Sequence, residues 1–328
     1  MKAFLIKIFS YSLIGLIPII MVLISYVYLD PYKVVNEYND YSSSKVGLNR
    51  DFVSMESFNS RREKWTYNSF ILGSSRTLGV SPTSWSKYIS DTNSEIFVFD
   101  ASSETLKGIE QKLIYIDSLD IEIDNLLIIL CNSVWYPNQD SQIARKHYLL
   151  TGESYLNFQW VCFNAFLNPS FMKNYYQYTL FGTYSDGFLN KNNIIYDSIT
   201  NHMILKNKND LLELDSNKYY KEMAHVFYKQ EGESIDKKRL TLTFEKSFLS
   251  IKKILNKHKT KYKIIIPPLY SQVKINSEDK AFLDQTFKGC VYDFSGDNEI
   301  TRYKQNYYET SHFRPRVGDV LLKEIYEN

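Results

Sequence analysis

Two segments at opposite ends of the chain carry residue types that together could perform nucleophilic chemistry. The first is Gly73-Ser74-Ser75-Arg76, where an apolar run ends abruptly in small polar side chains. The second contains Glu309 and, three residues later, His312. A serine hydroxyl is a weak nucleophile that needs an adjacent base, and histidine is the usual base near neutral pH. A carboxylate three residues before the histidine can lie on the same face of a turn and orient the ring.

We therefore predict that Ser75 is a nucleophile, that His312 is its base and that Glu309 orients the base. The remaining histidines lie in helical or polar segments without a neighbouring motif: His147, His202, His225 and His258. Each site residue taken alone has a simpler interpretation. The serines could cap the following helix or bind a phosphate through backbone N–H groups, and the histidine and glutamate could be structural or solvated. A nucleotide P-loop is not indicated, because Gly-x-x-x-x-Gly-Lys is absent.

An alternation of short apolar runs and helical patterns must position these two segments. The predicted strands cover 69–73, 95–100, 125–131, 262–267 and 289–294, and the predicted helices cover 104–119, 242–258, 276–288 and 317–326. Continuous apolar strands that alternate with helices predict an α/β fold with about five parallel strands and helices on both faces. Ser75 follows the first strand and His312 follows the last. Both are therefore expected at the carboxyl edge of the sheet, where ligands collect in such folds.

The segment 136–235 interrupts this alternation. It has no clear strand pattern and many aromatic residues, including Tyr175-Tyr176-Gln177-Tyr178 and Phe181-Gly182-Thr183-Tyr184. We predict a mostly helical insertion, which either forms a lid or groove wall or packs onto the sheet as an elaborated surface.

The first 30 residues predict a membrane anchor. The 22 residues from Ile8 to Leu29 are uncharged, and at about 1.5 Å per residue they would span a hydrocarbon core of about 30 Å. No short apolar region with an A-x-A-like cleavage site is evident, which favours an uncleaved signal anchor over 1–30. Lys2 and Lys7 before the span favour a cytoplasmic amino terminus and an extracytoplasmic domain. Residues 31–65 are polar and mixed and predict a stalk, which leaves 66–328 for the domain.

Composition and charge argue against several classes of function. The formal net charge is +2 and no lysine-arginine stripe occurs, which argues against a nucleic-acid partner. The three cysteines, Cys131, Cys162 and Cys290, are too few and too irregularly spaced for a disulfide framework or a zinc site, and the histidines show no ligand spacing. We predict neither a metal nor a cofactor.

The residues Leu72-Gly73-Ser74-Ser75-Arg76 after the first strand, together with Glu309-x-x-His312, resemble the SGNH/GDSL hydrolase superfamily. The single amino-terminal anchor and the Ile266-Pro267-Pro268 ending of the fourth strand are similar to its membrane-anchored bacterial branch. That branch includes proteins of cell-surface polysaccharide O-acetylation and lipoteichoic-acid D-alanylation. The resemblance covers 66–328 in short blocks separated by long unmatched stretches. It implies a three-layer, flavodoxin-like domain that carries the 136–235 insertion.

Carried onto this sequence, the resemblance makes Ser75 the nucleophile and His312 the base, with Glu309 in place of the usual aspartate. The oxyanion hole of the family uses the N–H of the nucleophile, a glycine and an asparagine. Asn132 matches the asparagine, although the Gly-x-Asn-Asp block is not present. The block Asp100-Ala101-Ser102-Ser103 has no glycine, and Ser102 or its neighbour stands in the place of the glycine.

The resemblance implies an extracytoplasmic O-acyltransferase or esterase that acts on a cell-envelope polysaccharide through an acyl-serine. The expected partners are a cell-surface glycan or its acyl ester and a membrane-bound acyl-donor protein. The expected location is the bacterial cytoplasmic membrane, crossed once. Arg76 and Arg314 flank the two halves of the site and would steer an anionic substrate, although a surface salt bridge is the simpler expectation for each. The missing glycine leaves an alternative, which is a non-catalytic glycan-binding or assembly component on a degenerate scaffold of this kind.

Overall fold

The computed structural model of the chain describes residues 2–89, 95–136, 141–183 and 193–327. Its strands are β1 (Tyr67–Gly73), β2 (Glu95–Val98), β3 (Asn125–Ile129), β4 (Ile194–Tyr196), β5 (Met203–Leu205), β6 (Ser234–Ile235), β7 (Lys261–Ile266), β8 (Val273–Lys274), β9 (Val291–Asp293), β10 (Tyr307–Glu309) and β11 (His312–Phe313). Its α-helices are α1 (Lys2–Leu29), α2 (Arg50–Arg61), α3 (Pro82–Trp85), α4 (Leu106–Ser118), α5 (Tyr148–Thr151), α6 (Tyr155–Phe166), α7 (Pro169–Phe181), α8 (Lys206–Leu214), α9 (Ser216–Glu222), α10 (Leu242–Lys257), α11 (Ser277–Thr286) and α12 (Pro315–Glu327). Short 3₁₀ helices cover Ser75–Gly79, Asn132–Trp135, Met223–His225 and Lys304–Asn306.

Five of the strands form one sheet in the order β2-β1-β3-β7-β9. Every neighbouring pair in it is parallel. At the carboxyl edge, Gly73 of β1 lies beside Ile129 of β3, and Ile129 lies beside Ile265 of β7. The predicted α/β fold with five parallel strands is therefore confirmed.

Helices cover both faces of this sheet. Side chains alternate along each strand, so successive residues pack against helices on opposite faces. Phe70 and Leu72 of β1 lie in an apolar cluster with residues of α2, α4, α10 and α11. Ile71, between them, lies in a second cluster with residues of α3 and α12. All three side chains are fully buried. Near-continuous apolar strands are what a sheet with two covered faces requires.

Residues 31–65 do not form the predicted stalk. Helix α2 packs Met55 and Phe58 into the same apolar cluster as Phe70, and neither side chain is exposed to solvent. Before it, three consecutive backbone N–H groups, from residue 34 to residue 36, donate to the buried carboxylate of Asp30. The polar residues of this segment find partners inside the fold, which composition alone does not reveal.

The insertion contains helices α5 to α9, but it also contains strands. β4 and β5 form an antiparallel pair in which Ile195 lies opposite Ile204, and β6 pairs with β8. The expectation of no strand is therefore wrong, because strands of two or three residues are too short to show a recognisable alternation. The turn between β4 and β5 reaches the sheet edge, where the Val98 N–H donates to the Thr200 carbonyl at 2.8 Å. The aromatic Tyr184 lies outside the described residues.

Helix α1 covers the segment that was predicted as an anchor. In the part of the chain that the structure describes, no helix is both long and apolar enough to cross a membrane. The anchor and its orientation stay predictions. Near the end of α1, the Tyr26 hydroxyl donates to Gln159 Oε1 of α6 at 3.0 Å, so this end of the helix packs on the insertion.

Candidate active site

The turn after β1 gives two adjacent serines different environments. Gly73 has a backbone φ of +153°, and a Cβ there would lie 2.8 Å from the carbonyl oxygen of Ile129, so this position requires glycine. The buried Ser74 hydroxyl donates to Cys131 Sγ at 3.1 Å, and its oxygen caps the following 3₁₀ helix. Ser75 begins that helix and performs neither task. The geometry therefore favours Ser75 over Ser74 as the reactive serine.

Glu309 and His312 lie on a short hairpin, formed by β10 and β11, in which they pair directly across from each other. Helix α12 follows the hairpin and crosses the 3₁₀ helix after Ser75 at close range. A Cβ on Gly318 would lie 1.8 Å from the carbonyl oxygen of Gly79, so the absence of a side chain permits this crossing. The crossing brings the hairpin to the Ser75 turn.

Three predicted site residues meet in one line of hydrogen bonds. The Ser75 hydroxyl lies 2.8 Å from His312 Nε2, although 237 positions separate the two residues in the chain. His312 Nδ1 is hydrogen bonded to Glu309 Oε1. Because a carboxylate can only accept, Nδ1 carries the proton in the neutral ring and Nε2 is left to accept from Ser75. This is the arrangement that activates a serine nucleophile.

The Glu309 carboxylate is held in its charged form. Burial opposes its ionisation, but the hydrogen bond from His312 and the positive charge of Lys208 outweigh burial and lower its pKa. The Ser311 N–H also donates to Glu309 Oε2 at 3.1 Å. A carboxylate kept ionised beside the ring can stabilise the imidazolium that forms when His312 accepts a proton.

The two arginines that flank the site donate hydrogen bonds to backbone carbonyl oxygens. Arg76 Nε donates to the Ser311 carbonyl at 2.8 Å, directly beside His312. Arg314 Nη1 donates to the Gln305 carbonyl at 3.3 Å. Within the described residues, neither arginine forms an ion pair with a carboxylate, so the surface salt bridges expected for them do not occur there. Arg76 thus links the Ser75 turn to the tip of the hairpin.

The two residues predicted for the oxyanion hole lie at the same edge of the sheet as the trio. Ser102 follows Ala101, which pairs with Ser74. Asn132 begins the 3₁₀ helix after β3. Neither side chain hydrogen bonds to the catalytic candidates in the part of the chain that the structure describes. The N–H of Ser75 lies at the first position of its own 3₁₀ helix and so has no acceptor within that helix, which leaves it as a candidate donor to an oxyanion.

Behind the Ser75 turn lies a network of six charged residues that sequence analysis did not identify. We call it the buried charge network. Arg50 Nη2 lies 2.7 Å from Asp100 Oδ1, and Lys112 Nζ lies 2.6 Å from Glu104 Oε2. None of the six side chains is more than 3% exposed, and their charges cancel: Arg50, Lys112, Lys146, Asp51, Asp100 and Glu104.

The buried charge network reaches the candidate site through Asp100. The Thr77 hydroxyl, two residues after Ser75, donates to Asp100 Oδ2 at 2.8 Å. Two sequence features could have indicated the network. Asp100 follows an apolar strand, and Lys112 lies on the apolar face of α4, three residues after Ile109. Charged residues in such positions are almost never buried without a partner.

Comparisons with known proteins add no family to this geometry. No protein-family model matches the chain, and no curated protein matches it. Among the described residues, no group of three or more histidine, cysteine, aspartate or glutamate side chains is arranged to hold a metal ion. The chemistry of the site must therefore be argued from its own side chains.

Proposed function

We propose that the chain is an SGNH-like serine O-acyltransferase or esterase that acts on a cell-envelope polysaccharide through an acyl-serine intermediate. One observation carries the proposal, namely the hydrogen-bonded line from Ser75 through His312 to Glu309 at the carboxyl edge of a parallel sheet. An apolar strand end, a nucleophile turn and a carboxyl-terminal base in this order also fit the SGNH resemblance of the sequence.

In the first half-reaction, Ser75 Oγ forms a bond to the acyl carbonyl carbon while its proton moves to His312 Nε2. The tetrahedral oxyanion then collapses, the bond to the leaving group breaks, and His312 protonates the leaving atom. In the second half-reaction, a water molecule or a sugar hydroxyl transfers its proton to His312 and attacks the acyl-serine. The bond between Ser75 Oγ and the acyl carbon then breaks, and His312 returns the proton to Ser75 Oγ. Water gives hydrolysis and a sugar hydroxyl gives acyl transfer.

The positive charges of the arginines at the rim favour a substrate that carries an anionic group. Burial lowers the pKa of the Arg316 guanidinium, and the positive charge of the neighbouring Arg314 lowers it further. Arg316 donates to the Asn306 side chain at 2.9 Å and, among the described residues, pairs with no carboxylate. Like charges in proximity favour a bound anion. We include in the proposal an extracytoplasmic location on the bacterial cytoplasmic membrane and a membrane-bound acyl-donor protein as partner.

A second candidate function is a non-catalytic glycan-binding or assembly component. The observation that favours it is in the sequence: Asp100-Ala101-Ser102-Ser103 has no glycine, and Asn132 is not part of a Gly-x-Asn-Asp block, so two of the family's oxyanion donors are altered. A site that lacks an oxyanion donor loses about 3–4 kcal/mol of transition-state stabilisation.

Turnover of an acetyl ester by the full-length protein in detergent tests the first function against the second. We expect Ser75→Ala to abolish ester turnover in the purified protein and to abolish envelope acylation in cells. Ser74→Ala is the matched control, because it removes the neighbouring hydroxyl without removing the partner of His312. Turnover and envelope acylation that are equal in wild type and Ser75→Ala would reject the enzyme and leave the binding component.

A further inference from the structure

The hairpin that carries Glu309 and His312 is held from outside the sheet by the insertion. Among the strands that the structure describes, β10 has one neighbour, β11, so its other backbone groups need partners elsewhere. Helix α9 provides two of them. The Tyr219 hydroxyl donates to the Tyr308 carbonyl at 2.8 Å, and the Tyr220 hydroxyl donates to the Tyr307 carbonyl at 2.8 Å.

These two tyrosines are built into the fold rather than lying on its surface. Each side chain is 5% exposed, and the two rings pack edge to face with centroids 5.2 Å apart. The Tyr220 hydroxyl oxygen also lies 2.9 Å from the Gln305 carbonyl, so its single proton is shared between two carbonyls in a three-centre hydrogen bond. The acceptors are therefore three carbonyls of the short segment that ends at Glu309.

Helix α8 holds the same strand through a side chain. The Tyr308 hydroxyl is hydrogen bonded to Asn209 Oδ1, and Lys208 Nζ lies 5.9 Å from the centre of the Tyr308 ring. Two helices of the insertion thus fix the strand that precedes Glu309. The predicted roles of the insertion were a lid, a groove wall or an elaborated surface. None of them includes a contact with the hairpin that carries Glu309 and His312.

We propose that Tyr219 and Tyr220 are positioning residues for the Glu309–His312 pair. This inference rests on the proposed function, because it concerns the base of that reaction. The tyrosine hydroxyls fix the backbone of β10, the backbone fixes Glu309, and Glu309 fixes the ring of His312 so that Nε2 lies on Ser75 Oγ. A displacement of about 1 Å in such a constellation costs about 100-fold in rate.

The test compares the double variant Tyr219→Phe/Tyr220→Phe with Tyr67→Phe in the full-length protein. Tyr67 is a matched control, because its buried hydroxyl also donates to a backbone carbonyl of the insertion, that of Ile199, at 2.6 Å. It lies at the amino end of β1, at the opposite edge of the sheet from Ser75. Phenylalanine keeps the ring and removes only the hydroxyl, so both variants are expected to fold.

The first readout is the rate at which an activated acyl ester acylates Ser75. We expect the double variant to react about 30-fold more slowly with KM unchanged, since two hydroxyls worth about 1 kcal/mol each are lost and about 1.4 kcal/mol corresponds to tenfold in rate. Tyr67→Phe, which loses one buried hydroxyl where the double variant loses two, is expected to react like the wild type although it also loses thermal stability. Equal rates for all three proteins, or an equal slowing of both variants, would overturn the proposal.

The second readout does not depend on activity. The ¹⁵N shifts of the His312 imidazole, identified by their loss in His312→Gln, report whether Nδ1–H remains bonded to Glu309. We expect the double variant to populate both tautomers and Tyr67→Phe to keep the wild-type pattern. An unchanged pattern in the double variant rejects the positioning role. A changed pattern in a protein whose Ser75 never becomes acylated supports the positioning role and rejects the proposed function.

Discussion

Two groups of ionisable side chains contact the Ser75 turn, and they differ in exposure. The Glu309–His312 pair lies at the rim, with side chains that are 17% and 24% exposed. The buried charge network lies behind the turn and reaches it through Asp100, which is fully buried. One group is open to a substrate, whereas the other is closed to solvent.

The difference in exposure indicates which group can take part in the reaction and which group stabilises the structure around it. In the buried charge network, each charge lies beside an opposite charge, so the binding of a proton or an anion there is not favoured. In the rim pair, one ring nitrogen is bonded to Glu309 and the other faces a serine hydroxyl. The rim pair is therefore the group that can move a proton, and the buried charge network fixes the turn that presents Ser75.

The largest expected effect is the loss of the base. His312→Ala should reduce the acylation rate of Ser75 on the order of 10⁴-fold, because the serine loses its proton acceptor. Stopped-flow measurement with an activated ester checks this. The thermal midpoint should stay close to that of the wild type, since His312 is partly exposed. A rate within threefold of the wild type would remove the distinction between the two groups.

The buried charge network should respond in the opposite way. Lys112→Met leaves two buried carboxylates, Asp51 and Glu104, with one cation, Lys146, where the wild type has two, so we expect a loss of about 3–5 kcal/mol in the free energy of unfolding. Acylation per folded molecule should be nearly unchanged. Lys206→Met is the control, because this exposed lysine pairs with the equally exposed Asp210 and should change stability by less than about 0.5 kcal/mol. Equal unfolding curves for both variants in urea would contradict the assignment.

Glu309→Gln should have an intermediate effect on the rate. A reduction of about 100-fold is expected, smaller than the roughly 10⁴-fold found for a triad carboxylate that is fully buried, since water can replace part of the interaction at a rim site. Glu309→Asp keeps the charge and should recover most of the rate. A glutamine variant as fast as the wild type would show that His312 needs no orienting carboxylate.

The same residue gives a pH dependence of stability. The pKa of Glu309 is lowered in the fold from its ordinary value of 4.5, so the unfolded chain binds its proton more readily. Its contribution to stability is therefore complete above about pH 4.5 and is lost as the pH falls through the folded-state pKa. Urea unfolding at several pH values should show the stability of wild type and Glu309→Gln converging in acid. A constant difference across that range would contradict the direction of the shift.

The smallest effect is expected at His202, whose Nε2 donates to the Leu78 carbonyl at 3.1 Å in the same turn. Burial lowers its pKa below the ordinary 6.5, against the opposing effect of Asp100. The unfolded chain therefore takes up a proton that the folded chain does not, and stability should fall as the pH drops below about 6.5. His202→Gln should flatten that slope in thermal unfolding. An unaltered slope would place its origin in another group.

The sheet and the trio were accessible to sequence analysis for a common reason. Apolar runs mark the strands, parallel strands place their carboxyl ends at one edge, and Ser75 and His312 follow the first and last strands. The remaining features depend on contacts between distant segments. Helix α2 looked like part of a stalk because its charged residues, such as Arg50, have partners some 50 to 150 positions away. The bonds from Tyr219 to the hairpin leave no local pattern in the sequence.

The central claim is that Ser75 becomes acylated with His312 as its base. Mass spectrometry of tryptic peptides after brief incubation with an activated acyl ester, followed by acid quenching, locates the acyl group directly. We predict an adduct on Ser75 in the wild type, the same adduct in Ser74→Ala, and none in Ser75→Ala or His312→Ala. An adduct on Ser74, or an adduct on Ser75 that forms equally fast without His312, would contradict the account.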